Sequence, residues 1–318
     1  MTALPETPGA APDTSPAAAA DRSDSGHGRR IFAIWLVVAV VIDVLFVFLA
    51  GPHLPPGAMT QNARSQQIDF TVITATALPV ILFVWVYFAY ALIVWRHPKG
   101  EPLTDGPPLR GHFRIQASWI AVTTVIVMAM FVYGTVELIG PAGAGGGEGP
   151  APIWTPASSN VLVIQVIGQQ WRWTYRYPSF GGFETDQLVI PNDTAIAFHV
   201  TSLDVIHSFW AYQLGVKSDA NPGSDNVAFT TTGSATGTFI VRCAELCGIW
   251  HADMTTSGVV LSKSAFERWA TLTEVKQAAA TALLPKFAWS YTPDANGADG
   301  GYYPDSKDPY SSVQTYGS

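Results

Sequence analysis

The sequence predicts a membrane-anchored all-β protein, with N-terminal transmembrane helices followed by a small Greek-key β-domain. Three observations carry this. Three long apolar runs lie before residue 140. Beyond that point the pattern changes to short β-type runs separated by Pro, Gly, Asn and Asp. The whole chain is 48% hydrophobic and only 13% charged, too apolar to be wholly soluble.

Residues 1–30 are rich in Ala, Pro, Ser, Thr and Gly without hydrophobic periodicity, and are expected to be disordered. They end in Arg29-Arg30, directly before the apolar run 31–50, which is long enough to span a bilayer. A cleaved signal peptide is the competing reading. Its apolar core is normally about 7–15 residues and ends in a small-x-small site. Here Phe48 spoils that site, which favours a retained span. Asp43 inside this run is read as snorkelling or facing a partner subunit. Two further spans are expected at about 70–95, where Pro79 is a candidate kink, and 117–136. The connector 96–114 carries Arg96, Lys99, Arg110 and Arg114, whereas 51–69 carries only Arg64. Positive charge marks the cytoplasmic side, so the connector and Arg29-Arg30 are inside and everything after the third span is outside.

Residues 141–155 read as a Gly/Pro linker. Within 156–277, strands are expected at 161–166, 187–190, 195–201, 227–231, 236–241 and 258–261. A helix with Phe266, Trp269 and Leu272 on its apolar face should close the domain at 264–277. The remainder, 278–318, is expected to be extended. Alternation of Trp171, Trp173, Tyr175 and Tyr177 places all four on one strand face, with Trp173 and Tyr175 in the core. The formal charge of −7 argues against nucleic acid as a partner.

The chemistry concentrates in Cys243-Ala-Glu245-Leu-Cys247-Gly-Ile-Trp-His251-Ala-Asp-Met254, which holds both cysteines of the chain. Thiolate, imidazole and thioether are the donors that soft metals prefer, copper above all. One mononuclear blue-copper site needs a single cysteine, so this loop has one too many. Structural zinc sites usually have two Cys-x₂₋₄-Cys pairs, or one such pair with two histidines, and no methionine. Two thiolates can instead bridge two coppers, each needing one histidine, and His207 is the best second candidate. A plain Cys243–Cys247 disulfide is the competing structural reading, and it leaves the histidines and the methionine unexplained.

Cys-x-Glu-x-Cys-Gly-x-x-His-x-x-Met, preceded by Asp204-Val-Ile-His207-Ser-Phe, resembles cytochrome c oxidase subunit II with its dinuclear copper centre, CuA. The resemblance covers roughly residues 70–275. It implies a cupredoxin-like barrel in which Cys243 and Cys247 bridge two copper ions. It implies His207 and His251 as terminal imidazoles, with Met254 and the Glu245 carbonyl as weak outer ligands. The Glu245 carboxylate would also help hold magnesium at the interface with subunit I. Trp171 would take electrons from cytochrome c, and subunit I and other oxidase subunits would be the partners. Oxygen reduction and proton pumping would lie in subunit I. The resemblance further implies a multi-pass protein of the plasma membrane with its copper domain on the periplasmic or extracellular side.

Some residues depart from that pattern. Gln116 stands where the family often has a glutamate at the entrance of a proton path, and it cannot ionise. Arg172 and Arg176 are expected to weaken attraction to a basic cytochrome c. Glu184, Asp186, Asp204, Asp219 and Asp225 are candidates for an acidic docking surface. Arg242, beside Cys243, is expected to raise the copper potential slightly. Three alternative functions are separable in principle. A quinol-oxidising subunit II lacks the copper ligands, a nitric oxide reductase subunit differs in its catalytic partner, and a copper carrier has Met- or His-rich loops.

Overall fold

The computed structural model describes residues 26–96, 100, 111–139 and 160–282. The linker expected at 141–155, most of the N-terminal tail and most of the C-terminal tail lie outside the described residues. Where those tails are described they are helical. The first helix, α1 (His27–Leu45), already includes Arg29 and Arg30, and it continues through a wide turn at Phe46–Ala50 and a tight one at Gly51–His53.

Two more helices follow, α2 (Gln61–Val94) and α3 (Phe113–Ile139). All three are long and apolar enough to cross a membrane. The 34 residues of α2 correspond to roughly 50 Å at about 1.5 Å each, against a hydrocarbon layer of about 30 Å. The surplus is the polar stretch Gln61–Asp69, which precedes the apolar run. Helix α1 packs on the later part of α2, where Trp35 Nε1 donates to the Pro79 carbonyl at 2.8 Å. Asp43 lies near the end of α1, and its Oδ1 is buried with no hydrogen-bond partner among the described residues.

The β-domain has ten strands: β1 (Val161–Gln169), β2 (Arg172–Tyr177), β3 (Phe183–Thr185), β4 (Leu188–Pro191) and β5 (Ala195–Ser202). They continue as β6 (His207–Ala211), β7 (Val216–Ala220), β8 (Asn226–Thr231), β9 (Gly237–Cys243) and β10 (Thr255–Leu261). Two five-stranded sheets form, ordered β3-β2-β1-β5-β8 and β4-β10-β9-β6-β7. The cupredoxin-like barrel is thus flattened into a sandwich. Strands β1 and β5 pair in parallel, as do β4 and β10, and the other ladders are antiparallel. Alternate residues of the two sheets meet in one core: Leu162, Ile164, Tyr175, Ile196 and Phe198 face Phe209, Phe239, Val241 and Val260. Each such side chain contributes roughly 1.5–3 kcal/mol of burial.

Three expectations need correction. Strands β6 and β7 were not legible as strands. The first begins at a metal-ligating residue type, and the second is a polar edge strand, Val-Lys-Ser-Asp-Ala, as edges tend to be. Trp171 lies in the turn before β2, so only Trp173, Tyr175 and Tyr177 share the buried strand face. The closing helix, α4 (Lys263–Thr281), buries Phe266, Trp269 and Ala270 against Tyr177 and Phe183, while Leu272 is 61% exposed.

Candidate metal centre

Strands β6 and β9 build the centre. They pair antiparallel with Phe209 opposite Cys243. That register carries His207 past the end of the ladder, to the place where the loop Ala244–Met254 leaves β9. Strand β10 returns beside β9, and the Cys243 N–H donates to the Met254 carbonyl at 3.1 Å, closing the loop at its base. The Ala244 N–H donates to the Ser208 carbonyl at 2.9 Å, so the loop is also fixed to β6.

All the expected ligands meet there. The Cys243 and Cys247 sulfurs lie 3.7 Å apart. His207 Nδ1 is 3.8 Å from Cys243 Sγ, and His251 Nδ1 is 3.6 Å from Cys247 Sγ. Met254 Sδ lies 3.8 Å from Cys247 Sγ, and the Glu245 carbonyl 3.2 Å from Cys243 Sγ. The donors of His207, Cys243 and Cys247 all lie within 4.8 Å of one another. The two thiols therefore occupy the middle, each with an imidazole and one weak donor beside it. His207, Cys243, Cys247 and Met254 are buried. Two soft thiolates, two imidazoles, a thioether and a carbonyl fit copper better than any hard cation.

The thiols are inequivalent. Burial opposes ionisation of Cys243, but His207, backbone groups of Ser208 and Glu245, and Cys247 outweigh it and draw its pKa down to about 6. Burial, followed by the hydrogen bond and charge of Cys243, pushes Cys247 up to about 12. A metal that takes both sulfurs must displace whatever proton they carry.

Around the centre stand Asp204 and Trp171, which the sequence marked, and Gln170 and Gly248, which it did not. His207 Nε2 meets Asp204 Oδ1 at 2.9 Å, which leaves Nδ1 facing the sulfurs. Asp204 in turn accepts from the N–H groups of Gln170 and Val205, each at 2.7 Å. Burial raises the Asp204 pKa, but these amides and His207 outweigh it, and the net shift is downward. Burial likewise disfavours charge on His207, but Cys243 and Asp204 prevail and raise its pKa. The Trp171 Nε1–H donates to the Cys247 carbonyl at 3.1 Å, and Gln170 Nε2–H to the same oxygen at 2.8 Å. Gly248 lies at φ +122, and a Cβ there would come within 3.0 Å of both Gln170 and Trp171. Only glycine allows the loop to sit so close. Gln170 stood beside Trp171 in the sequence, but nothing there signalled a contact with residue 247.

Several charged residues are not where the sequence suggested. Arg176 is buried, with its Nε–H donating to the Gly182 carbonyl at 3.1 Å and its guanidinium 3.4 Å from Glu184. It presents no charge to a docking protein. Asp225 is buried against His199 at 2.7 Å, and Asp204 is committed to His207, so the five acids do not form one exposed surface. Arg242 is exposed and pairs with Trp210 across the ladder, on the sheet face opposite Cys243.

The model of the cytochrome c oxidase subunit II periplasmic domain matches residues 182–261, which include His207 and the whole Cys243–Met254 loop. Over this region the chain is similar to cytochrome c oxidase subunit II. The subunit 2 of Synechocystis is 28% identical over 297 residues, covering 82% of this chain and 89% of that relative. The probable subunit 2 of Rickettsia prowazekii is 36% identical over 132 residues, 35% of this chain and 42% of the relative. The crystallised periplasmic domain of subunit II from Bradyrhizobium japonicum is 35% identical, covers 36% of this chain and 94% of its own, and has a TM-score of 0.35. The match to a periplasmic domain, behind three helices long and apolar enough to cross a membrane, fits a membrane-anchored chain with its β-domain outside the cytoplasm.

Proposed function

We propose that this chain is the electron-entry subunit of a cytochrome c oxidase. It takes electrons from cytochrome c at a dinuclear CuA centre and hands them to haem in subunit I, where oxygen is reduced to water with proton translocation. The observation that supports this best is the paired arrangement of donors, with two sulfurs 3.7 Å apart and one imidazole beside each. Two coppers bridged by two thiolates share one electron with little change in bond length, so transfer is fast at small driving force.

The protein's own part is to hold the donors still. His207 and His251 would each face one copper, Cys243 and Cys247 would bridge, and Met254 and the Glu245 carbonyl would complete the set. Asp204 fixes the tautomer and the ring of His207. Trp171, half-buried and hydrogen-bonded to the loop, is the residue at which an electron from cytochrome c would enter. The exposed Glu245 carboxylate is available for a magnesium ion shared with subunit I. The membrane in question would be the plasma membrane.

The test is an electron paramagnetic resonance spectrum of the full chain, in detergent, loaded with copper. One electron shared equally by two coppers gives a seven-line hyperfine pattern. A single-copper pattern, or silence with copper bound, would withdraw the electron-entry role.

A further inference from the structure

The stretch between α1 and the apolar part of α2 is built into the copper domain. Residues Gly51–Thr71 form one compact unit with α3 and the β-domain. Thr60 is buried, forms a bridge with Thr232, and donates its hydroxyl to the Leu214 carbonyl at 2.8 Å. The same hydroxyl oxygen accepts from the Ala63 N–H at 3.1 Å and so caps the start of α2. The Met59 N–H donates to the Gln213 carbonyl at 2.8 Å, and Gln66 Nε2–H to the Gly215 carbonyl at 2.8 Å. Further along the helix, Asp69 accepts from the Tyr133 hydroxyl of α3 at 2.6 Å. The span 59–69 therefore holds the copper domain and a membrane helix at once, separately from the chain connection at 140–159.

The turn that receives this stretch is joined to both metal-bearing strands. Strand β6, which starts at His207, runs directly into Tyr212–Leu214 and Gly215. Strand β9, which ends at Cys243, donates its Ile240 N–H to Gln213 Oε1 at 2.8 Å. Gly215 is doubly constrained. It sits in the left-handed region at φ 65, ψ 32. A Cβ on it would lie 2.5 Å from the Ala63 nitrogen and 2.7 Å from the Asn62 carbonyl carbon, both backbone atoms that cannot swing aside.

We propose that Gly215 is a positioning residue for onward electron transfer: its close contact with Asn62-Ala63 sets the place of the copper ligands relative to the start of α2 and to α3, and so their distance to the next acceptor. This rests on the electron-entry reading above, because tunnelling rates fall steeply with distance.

The test uses the full chain assembled in its oxidase. In Gly215→Ala, hydrogen exchange at the Met59 and Ala63 amides should rise while the copper resonance spectrum is unchanged. Electron passage from the reduced copper centre to the next acceptor should slow by a few-fold, as tunnelling over a longer distance requires. Gly181→Ala is the control for backbone strain alone, since Gly181 is also left-handed at φ +71 but its added Cβ would meet only the flexible Glu274 side chain. It should leave the onward rate unchanged. Gln66→Ala, which removes the hydrogen bond to the Gly215 carbonyl without changing a residue of the β-domain, should move exchange and rate in the same directions by less, and it decides the matter if Gly215→Ala does not fold. Raised exchange with an unchanged onward rate, or unchanged exchange in both variants, overturns the proposal. A missing shared-electron spectrum in the unsubstituted chain would instead remove the electron-entry reading, and the exchange measurement would still report on the contact.

Discussion

The two histidines of the centre stand in opposite surroundings. His207 is fully buried, bonded through Nε2 to Asp204, and set 5.9 Å from the Trp173 ring in an edge-on contact. Behind it lie Phe209 and Tyr175. His251 sits on a single tight turn, half-exposed, with no carboxylate bracing its ring among the described residues. Its neighbours Leu246, Ile249 and Trp250 are 78%, 86% and 54% exposed. One half of the site is completed by folding of the β-domain. The other half is an apolar rim of the kind that other proteins cover. On the electron-entry reading proposed above, the site needs both a rigid side and a side that can be approached.

The largest effect should come from the residues the two halves share. Cys243→Ser and Cys247→Ser should each abolish the shared-electron spectrum in the full chain. If the two sulfurs bridge the coppers neither can be spared, so survival of that spectrum in either variant would break the symmetry of the comparison. Next is the braced half. Trp173→Ala should lower the stability of the copper-free chain by about 3–5 kcal/mol in a denaturant titration, as for other large core deletions. The same substitution would remove the ring that faces His207. A loss under about 1 kcal/mol would mean that this half is not packed as described.

The braced half also carries a pH signature. Burial raises the pKa of both Tyr175 and Tyr177 above that of free tyrosine. A group raised in the folded state supports folding below its unfolded pKa and loses that support as pH climbs toward the folded value. Stability of the copper-free chain should therefore fall above about pH 10, with a limiting slope of roughly 2.7 kcal/mol per pH unit for two tyrosines. Tyr175→Phe should halve the slope. Smaller still is the effect of the brace on the metal. Asp204→Ala should weaken copper binding about 10- to 100-fold, the usual cost of losing a carboxylate behind a ligating histidine. Its spectrum should show one altered histidine and one normal one, since His251 has no such partner among the described residues.

Most of the site was legible in the sequence because its donors are chemically rare residues crowded into one loop. Cys243, Cys247, His251 and Met254 fall within twelve positions, and His207 follows an acid at the spacing that lets Asp204 reach its ring. The supports were not legible, because Gln170 and Gly248 become neighbours only through folding. The surface electrostatics were misjudged for the same reason. Arg176 and Asp225 are buried partners in the fold, and a sequence gives a charge without its exposure. The apolar runs lie within long helices, but the attachment of residues 59–66 to the turn at Gly215 depends on a left-handed residue that no local pattern announces.

The smallest effect belongs to the open half, and it is the sharpest test of the comparison. Trp250 buries little and supports nothing behind it, so Trp250→Ala should change the stability of the copper-free chain by no more than about 0.5 kcal/mol, as for an ordinary surface site. Its copper spectrum should match that of the unsubstituted chain, because Trp250 supplies no ligand. What should change is assembly, since a large exposed aromatic beside a metal ligand has its effect where another protein meets it. The expected result is a normal copper domain that co-purifies less well with its oxidase partners or accepts electrons more slowly. If Trp250→Ala instead lowers stability as Trp173→Ala does, the rim is part of the core and the division into a braced and an open half fails.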